Sequence, residues 1–487
     1  MVIDSDEDIP FFEMPISSLL PDNLGLIHDK GLTYPIRPST VAKRENGGIM
    51  KRLSQQSIFF IPALLVILSA LQSQADVKLG DVITQENVAQ AETLLTPATR
   101  WMVERGMRMS IIDSKKISWP RAYREATDKY APQVKLAADG GQLFDYVAGC
   151  PFPKIDLQDP MAGFKILWNY QQNPFSIDNM GTEMLIELIG SDGRVERTYE
   201  ALWRRMMWLG RLYTDPKPIA PHNPQLHYSE LWGPLSRPPD KAGMATLFRR
   251  YVSPDSPDDT YVYIPITRRV HRTTNGGRGD VMWGTDIDTD SLWGFNAKLN
   301  YWSFRVLAEK EILAVVHSGK YGDRSAWCAP RNGQYGLLAA FPCVQWEKRR
   351  VWVVEGIPGS AVMSQYPYSK RILYIDQEFF APVVEEMYDR HGELWRYFLP
   401  CFFYYPKQYV HYPPIPPTGE KDSTIDEWAY MPNGLWGDVQ RSRATTFESP
   451  PGTKSFEQWQ AAWYFSEDVA HNTAETYSQV YLQRGAR

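Results

Sequence analysis

Apolar and polar positions alternate in short runs over most of the chain after Met184. The segments MLIELIG, RVERTYEALWRRMMWLGRLY, ATLFRRYVS, TYVYIPITRRVHRTT, YWSFRVLAEKEILAVVHSG, KRRVWVVEGI and KRILYIDQEFFAPVVEEMYDRHGELWRYFLP join β-branched and aromatic residues to a partial period of two, which predicts strands. Turn residues separate them, as at Ser191-Asp192-Gly193 and His391-Gly392. The run from Arg371 to Asp376 reads as a strand with one face to solvent, and Glu385 to Arg396 as a strand, a tight turn and a return strand. Such a succession predicts antiparallel neighbours, with one sheet face on the core.

Helical periodicity lies mostly near the front. Val88, Ala91, Leu94 and Leu95 predict a helix that Pro97 interrupts, and Trp119 to Tyr130 predicts a second that ends before Pro132. The prolines at 151 and 153 make the stretch through Ala162, Ile166, Trp168 and Tyr170 an irregular crossing. A further helical stretch is expected around Asp280 to Phe295. HYPPIPPTGE, near position 415, reads as a stiff polyproline-like connector before an aromatic tail that closes back over the body.

One apolar run stands apart. MKRLSQQSIFFIPALLVILSALQSQADV places Lys51 and Arg52 before an apolar core from Ile58 to Leu71 and ends in Ser73-Gln74-Ala75, the three parts of an export signal. Its core is shorter than the ~20 residues a bilayer-spanning helix needs. The reading divides the chain into residues 1–49, an upstream start-codon miscall or disordered stretch, a signal peptide over 50–75 cleaved after Ala75, and a single large domain over 76–487 exported to the periplasm. The 412 residues after Ala75 carry 46 basic and 49 acidic side chains, too balanced to steer nucleic acid or an anionic membrane. All 17 tryptophans fall in this part, either filling a large β core or lining a cavity for an apolar ligand. In an oxidising compartment Cys328 and Cys343, with APRNGQYGLLAAFP between them, are placed for a loop-closing disulfide.

Motif chemistry is sparse. His222 and His227 read as a pair of exposed loop histidines, and no histidine arrangement suits a metal. Asp286, Asp288 and Asp290 resemble part of a calcium loop, but Ser291 replaces the turn glycine and Ala297 the closing glutamate, so capping of a following turn is the better reading. No metal site, cofactor or catalytic residue is assigned. The most distinctive piece is YVYIPITRRVHR. Tyr261 and Tyr263 share one side, and Arg268, Arg269 and Arg272 are set either to meet a phosphate, carboxylate or acidic partner, or to form a salt-bridged sheet edge with Asp286, Glu309 or Glu311.

Several strings together resemble the DUF1329 family of exported Gram-negative proteins. They are Val147-Ala148-Gly149 with Pro151-Phe152-Pro153, Asp159-Pro160, Trp168-Asn169, Tyr261 to Pro265 with Arg268-Arg269-Val270, Gly284-Thr285-Asp286 leading to Trp293-Gly294-Phe295, and Tyr374-Ile375-Asp376 with Tyr388-Asp389-Arg390 and Gly392. His271 stands where the family commonly has an arginine. The resemblance implies an α+β, mainly β, fold: a large curved antiparallel sheet, a half-barrel like that of the LolA/LolB lipoprotein-sorting proteins, with helices on its concave side. It also implies carriage of a lipid or other hydrophobic molecule beside an RND-type exporter and an outer-membrane protein.

The resulting expectation is a non-enzymatic periplasmic carrier or chaperone. Tyr261, Tyr263, Arg268, Arg269, Arg272, Trp293 and Phe295 are its candidate ligand-binding or partner-binding residues. Two alternatives stay open: an accessory subunit that docks on a transporter without a free ligand, and an enzyme acting on a lipid-like, steroid or terpenoid substrate.

Overall fold

The computed structural model describes residues 77–173, 178–213, 215–273, 277–318, 344–405, 428–448, 464–465 and 473–485. All belong to the compact unit Leu71–Arg487. The proposed signal segment, the Cys328–Cys343 pair and the proline-rich connector lie outside the described residues.

The front of the chain folds as two helical pieces rather than one. A 3-10 helix, Val88–Leu94, is followed by helix α1, Pro97–Glu104. Pro97 starts the second piece instead of interrupting the first, because at the first helical position its missing N–H removes nothing the helix needs. Thr96 caps it: its Oγ1 accepts from Thr99 N at 3.2 Å, and Thr99 Oγ1 accepts from Thr96 N at 2.8 Å. Helix α2, Arg121–Tyr130, forms where expected. Helix α3, Ala162–Gln171, occupies the stretch expected to be irregular, since Ala162, Ile166 and Tyr170 repeat at four-residue intervals and all three are buried. No helix forms over Asp280 to Phe295 apart from a 3-10 turn, Thr289–Ser291. A last short helix, α4, spans Gln479–Gln483.

The strands are β1 (Val82–Ile83), β2 (Met109–Ile111), β3 (Lys135–Leu136), β4 (Leu143–Phe144), β5 (Asn179–Ile189), β6 (Val195–Met207), β7 (Leu226–Arg237), β8 (Ala245–Tyr251), β9 (Asp259–Ile264), β10 (Arg269–Arg272), β11 (Trp302–Ala314), β12 (Gln345–Pro358), β13 (Lys370–Asp376), β14 (Pro382–Tyr388), β15 (Leu394–Tyr405), β16 (Trp428–Asp438), β17 (Arg443–Glu448) and β18 (Tyr464–Phe465). Sixteen of them form one sheet in the order β1-β2-β12-β13-β14-β15-β16-β17-β5-β6-β7-β8-β9-β10, with β11 also on β12 and β18 on β5; β3 and β4 make a separate ribbon. The return from β14 to β15 is the tight turn read from the sequence. Asp389 Oδ1 accepts from His391 N at 2.8 Å and Glu393 N at 3.0 Å, and Gly392 supplies a φ of 82°.

Two expectations about the sheet are corrected. It is mixed, because β2 runs parallel to β12 through Ser110 and Ile111. It is also neither closed nor strongly curled into a half-barrel. Its path runs open from β1 to β10, with no pairing between those ends among the described residues. The helices therefore have no concave side to line. Aromatic side chains of the main core pack against one another: Phe164 and Phe304 lie 5.1 Å apart, Phe295 and Trp302 5.1 Å, and Phe398 and Trp436 4.3 Å.

Strand β13 also differs from its pattern. From Arg371 to Asp376 every residue is buried, with no solvent face, because the polar residues at both ends are neutralised inside the protein.

Candidate functional site

The seven candidate residues do not converge. Tyr261 and Tyr263 lie on β9 and Arg269 and Arg272 on β10, paired so that Tyr261 faces Arg272 and Tyr263 faces Val270. Arg268 closes the intervening turn at a φ of 53° and donates its N–H to Pro265 O at 3.1 Å. Tyr261, Tyr263 and Val270 join an apolar cluster with Trp208, Leu247, Tyr477 and Leu482, so α4 and the turn before it cover this part of the sheet. The closing back expected from the sequence was placed on the segments with Phe447, Trp459, Trp463 and Phe465, of which Trp459 and Trp463 lie outside the described residues. Arg272 pairs with Asp259 at 2.5 Å, not with Asp286, Glu309 or Glu311. Arg268 and Arg269 are exposed and form no ion pair among the described residues, and Ile266 at the turn is 92% exposed.

Trp293 and Phe295 belong instead to the main core. Trp293 lies 4.8 Å from Trp203, 5.6 Å from Trp232 and 5.6 Å from Phe447, and Phe295 lies 5.6 Å from Phe304. Both are wedges between the sheet and the segment over residues 278–301. Neither lines a groove.

The aspartate triplet in that segment does something the sequence did not show. Asp286, Asp288 and Asp290 are all buried, and each takes a different arginine. Asp286 accepts from Arg443 Nε at 2.8 Å and Thr445 Oγ1 at 2.9 Å. Asp288 accepts from Arg371 Nη2 at 3.2 Å and Tyr368 OH at 2.7 Å, and caps the following turn by accepting from Ser291 N at 2.8 Å. Asp290 accepts from Arg278 Nε at 2.6 Å. Spacing by two turns the three carboxylates toward three arginines, from β17, β13 and the start of the segment itself. Arg371 also donates to Glu385 at 2.9 Å, and burial pushes the Glu385 carboxyl up to about 8.

A pocket of about 120 Å³ opens beside this network. Its walls include Leu143, Tyr146, Trp168, Leu209, Tyr251 and Leu299, with Gln171, Gln172, His227, Arg250, Lys298 and Asn300 as polar groups. The turn between β3 and β4 can approach because Gly140 has a φ of 77° and a Cβ there would sit 2.4 Å from Phe164. Trp168 Nε1 then donates to Gly140 O at 2.9 Å, and Gln171 Nε2 to Ala297 O at 2.9 Å. Arg250 donates from Nε to Asp258 at 3.0 Å and from Nη2 to Asn296 O at 2.5 Å.

His227 is no exposed loop histidine. It lies on β7, 6% exposed, with Nε2 3.1 Å from Gln172 Oε1, and burial, followed by Arg250 and Arg205, lowers it to about 3 so that it stays neutral. Lys298 is 5% exposed, with Nζ 2.6 Å from both Ser253 O and Ser256 O, and burial lowers it to about 8. No sequence motif marks Lys298, Arg250 or His227. Their convergence depends on three separate elements, and the only local signal is the Gly140-Gly141 pair that lets the turn come close.

A second titratable pair was also unmarked: His317 Nδ1 lies 2.8 Å from Glu347 Oε2, and Glu347 also accepts from Arg349 at 3.1 Å. Cys150 and Cys401 are buried thiols, and burial pushes Cys150 up to about 12.

The model of a family described as a protein of unknown function, DUF1329, matches residues 82–469. An uncharacterized protein of Pseudomonas aeruginosa is 24% identical over 331 residues, 64% of this chain and 67% of that one. A solved domain from Vibrio parahaemolyticus, titled a candidate outer membrane lipoprotein-sorting protein, is 14% identical with a TM-score of 0.43, over 67% of this chain and 100% of that one. A DUF1329 family protein from Desulfovibrio piger is 12% identical with a TM-score of 0.41, over 66% of this chain and 100% of that one.

Proposed function

The chain belongs to the DUF1329 family, and on that premise we propose that it is a non-enzymatic carrier of a small hydrophobic molecule, or of one end of a lipid, in the periplasm. The observation that carries this reading is the pocket beside Lys298, with apolar and aromatic walls and a few convergent polar groups. Its volume is close to the ~150 Å³ of a cavity that takes up benzene. Burial of a six-carbon chain yields about 4–5 kcal/mol at ~0.8 kcal/mol per CH₂ before the cost of association. The Met50 to Ala75 segment supports the periplasmic assignment. An RND-type exporter with an outer-membrane protein is the proposed partner.

Native mass spectrometry of the protein beginning at Asp76, purified gently from periplasm, tests the carrier. One apolar species per chain is expected; an empty protein that also takes up no short-chain probe would overturn it.

A second reading rests on the β9–β10 turn, where exposed Ile266 stands beside Arg268 and Arg269, neither of them in an ion pair among the described residues. In it the protein is a docking subunit and this turn meets an acidic face of the transporter. Recovery of an envelope protein by the wild type but not by a variant with both arginines changed to serine is its expected result.

A further inference from the structure

The charges around the pocket do not balance at one position. Arg250 and Arg278 share Asp258, at 3.0 and 2.8 Å, and Arg278 also holds Asp290 at 2.5 Å, so two buried cations meet two buried carboxylates. Lys298 makes no such direct pair among the described residues. Its ammonium is held by the carbonyls of Ser253 and Ser256, which use two of its three N–H donors, and no carboxylate lies within ion-pair distance among the described residues. Asp258, already shared by the two arginines, and exposed Asp255 favour its charge only from beyond ion-pair distance, and Arg250 and Arg278 oppose it. Lys298 is 5% exposed and stands on the wall of an open pocket, and its third donor, unused by those carbonyls, is open to an anion.

We propose that the polar end of the ligand is an oxyanion, a carboxylate or a phosphate, that enters this pocket and pairs with Lys298 Nζ with Arg250 alongside, while the apolar remainder lies on Trp168, Tyr146 and Leu143. The proposal rests on the carrier reading and narrows its cargo to acidic amphiphiles. Burial lowers Lys298 to about 8, so the empty pocket holds its charge at a cost that an incoming anion offsets. His227 is held neutral and Gln172 accepts from it, which leaves the cationic side of the pocket undivided.

Hexanoate and hexan-1-ol share a chain and differ at the head, so calorimetric titration of both separates the two ideas. The wild type is expected to bind hexanoate at least tenfold more tightly than hexan-1-ol. Lys298→Met is expected to lose that tenfold preference while keeping its hexan-1-ol affinity within about twofold, and Lys298→Arg to retain it. Inorganic phosphate that displaces hexanoate would identify a phosphate head. Failure of phosphate to compete would identify a carboxylate, and both outcomes support the proposal. Equal binding of hexanoate and hexan-1-ol to the wild type would overturn it and leave the carrier reading standing; binding of neither would overturn both. If Lys298→Met does not fold, the ¹⁵Nζ resonance of Lys298 in the wild type decides. Its titration midpoint must rise with saturating hexanoate and stay fixed with hexan-1-ol, and no rise would sink the idea.

Discussion

Replacing Arg371 by Met tests whether the arginine-aspartate network is a true buried ionic core. The guanidinium is fully buried and donates to Glu385 at 2.9 Å, Ser291 Oγ at 3.0 Å and Asp288 at 3.2 Å, as well as to Tyr366 OH. Methionine fills similar space but leaves Asp288 as a buried anion held only by Ser291 and Tyr368. Breaking such a pair costs about 3–5 kcal/mol. At pH 7 the expected loss is near the lower end, because Glu385, raised to about 8, is mostly neutral and needs no cation. Above pH 8 the balance changes. Glu385 ionises in the wild type beside Arg371, whereas in the variant it stays protonated in the fold and loses its proton only on unfolding. Stability then falls with rising pH by up to ~1.4 kcal/mol per unit more than in the wild type. Urea unfolding followed by tryptophan fluorescence at pH 6, 7 and 9 reads all of this. Adding Glu385→Gln should remove the extra loss at pH 9. A loss under about 1 kcal/mol at pH 7, or the same loss at pH 6 and pH 9, would refute a dry network.

Phe295→Ala should cost about 3–5 kcal/mol in the same assay, because the ring is 1% exposed and held between Trp302 and Phe304; a groove-lining residue would cost far less. Changing Arg268 and Arg269 together to serine should alter stability by no more than about 0.5 kcal/mol, since neither forms an ion pair among the described residues, and a larger loss would reveal a structural role. Lys298, lowered from 10.5 to about 8, should make the wild type gain stability relative to Lys298→Met as pH rises from 8 towards 10.5. The full gain is on the order of 3 kcal/mol, and unfolding curves at pH 7.5 and 10 that differ equally for both proteins would contradict it.

The strands were the legible part. Period-two alternation in KRRVWVVEGI and the turn at His391-Gly392 correspond to β12 and to the β14–β15 return. Pairing over long distances was not legible: nothing local to Thr445 or Ile189 says that β17 lies beside β5. Curvature was not legible either, and the half-barrel expectation came from resemblance alone. Polarity misled twice. The run from Arg371 to Asp376 looked like a strand with one wet face, and the aspartate triplet like a spoiled cation loop, because a pattern of charged positions carries no record of whether the partner is water or a buried arginine. The candidate pocket was the least visible, since Lys298, Arg250 and His227 share no stretch of sequence.

The strand order also fixes a timetable. Two meanders, β5 to β10 and β11 to β17, are built from neighbours in the chain and meet at the β17–β5 seam. The front of the chain through α1 and β2, however, sits on the later meander: the N–H of Ala98 reaches Glu386, 288 positions away, and Ser110 lies beside Gln345. A nascent chain that appears N-terminus first therefore carries Trp101, Met102 and Val103 with nowhere to bury them until β12 to β15 have arrived. Contacts of that span slow folding and lengthen the exposure of sticky surface. This protein should be unusually dependent, during its synthesis, on whatever shelters its leading end.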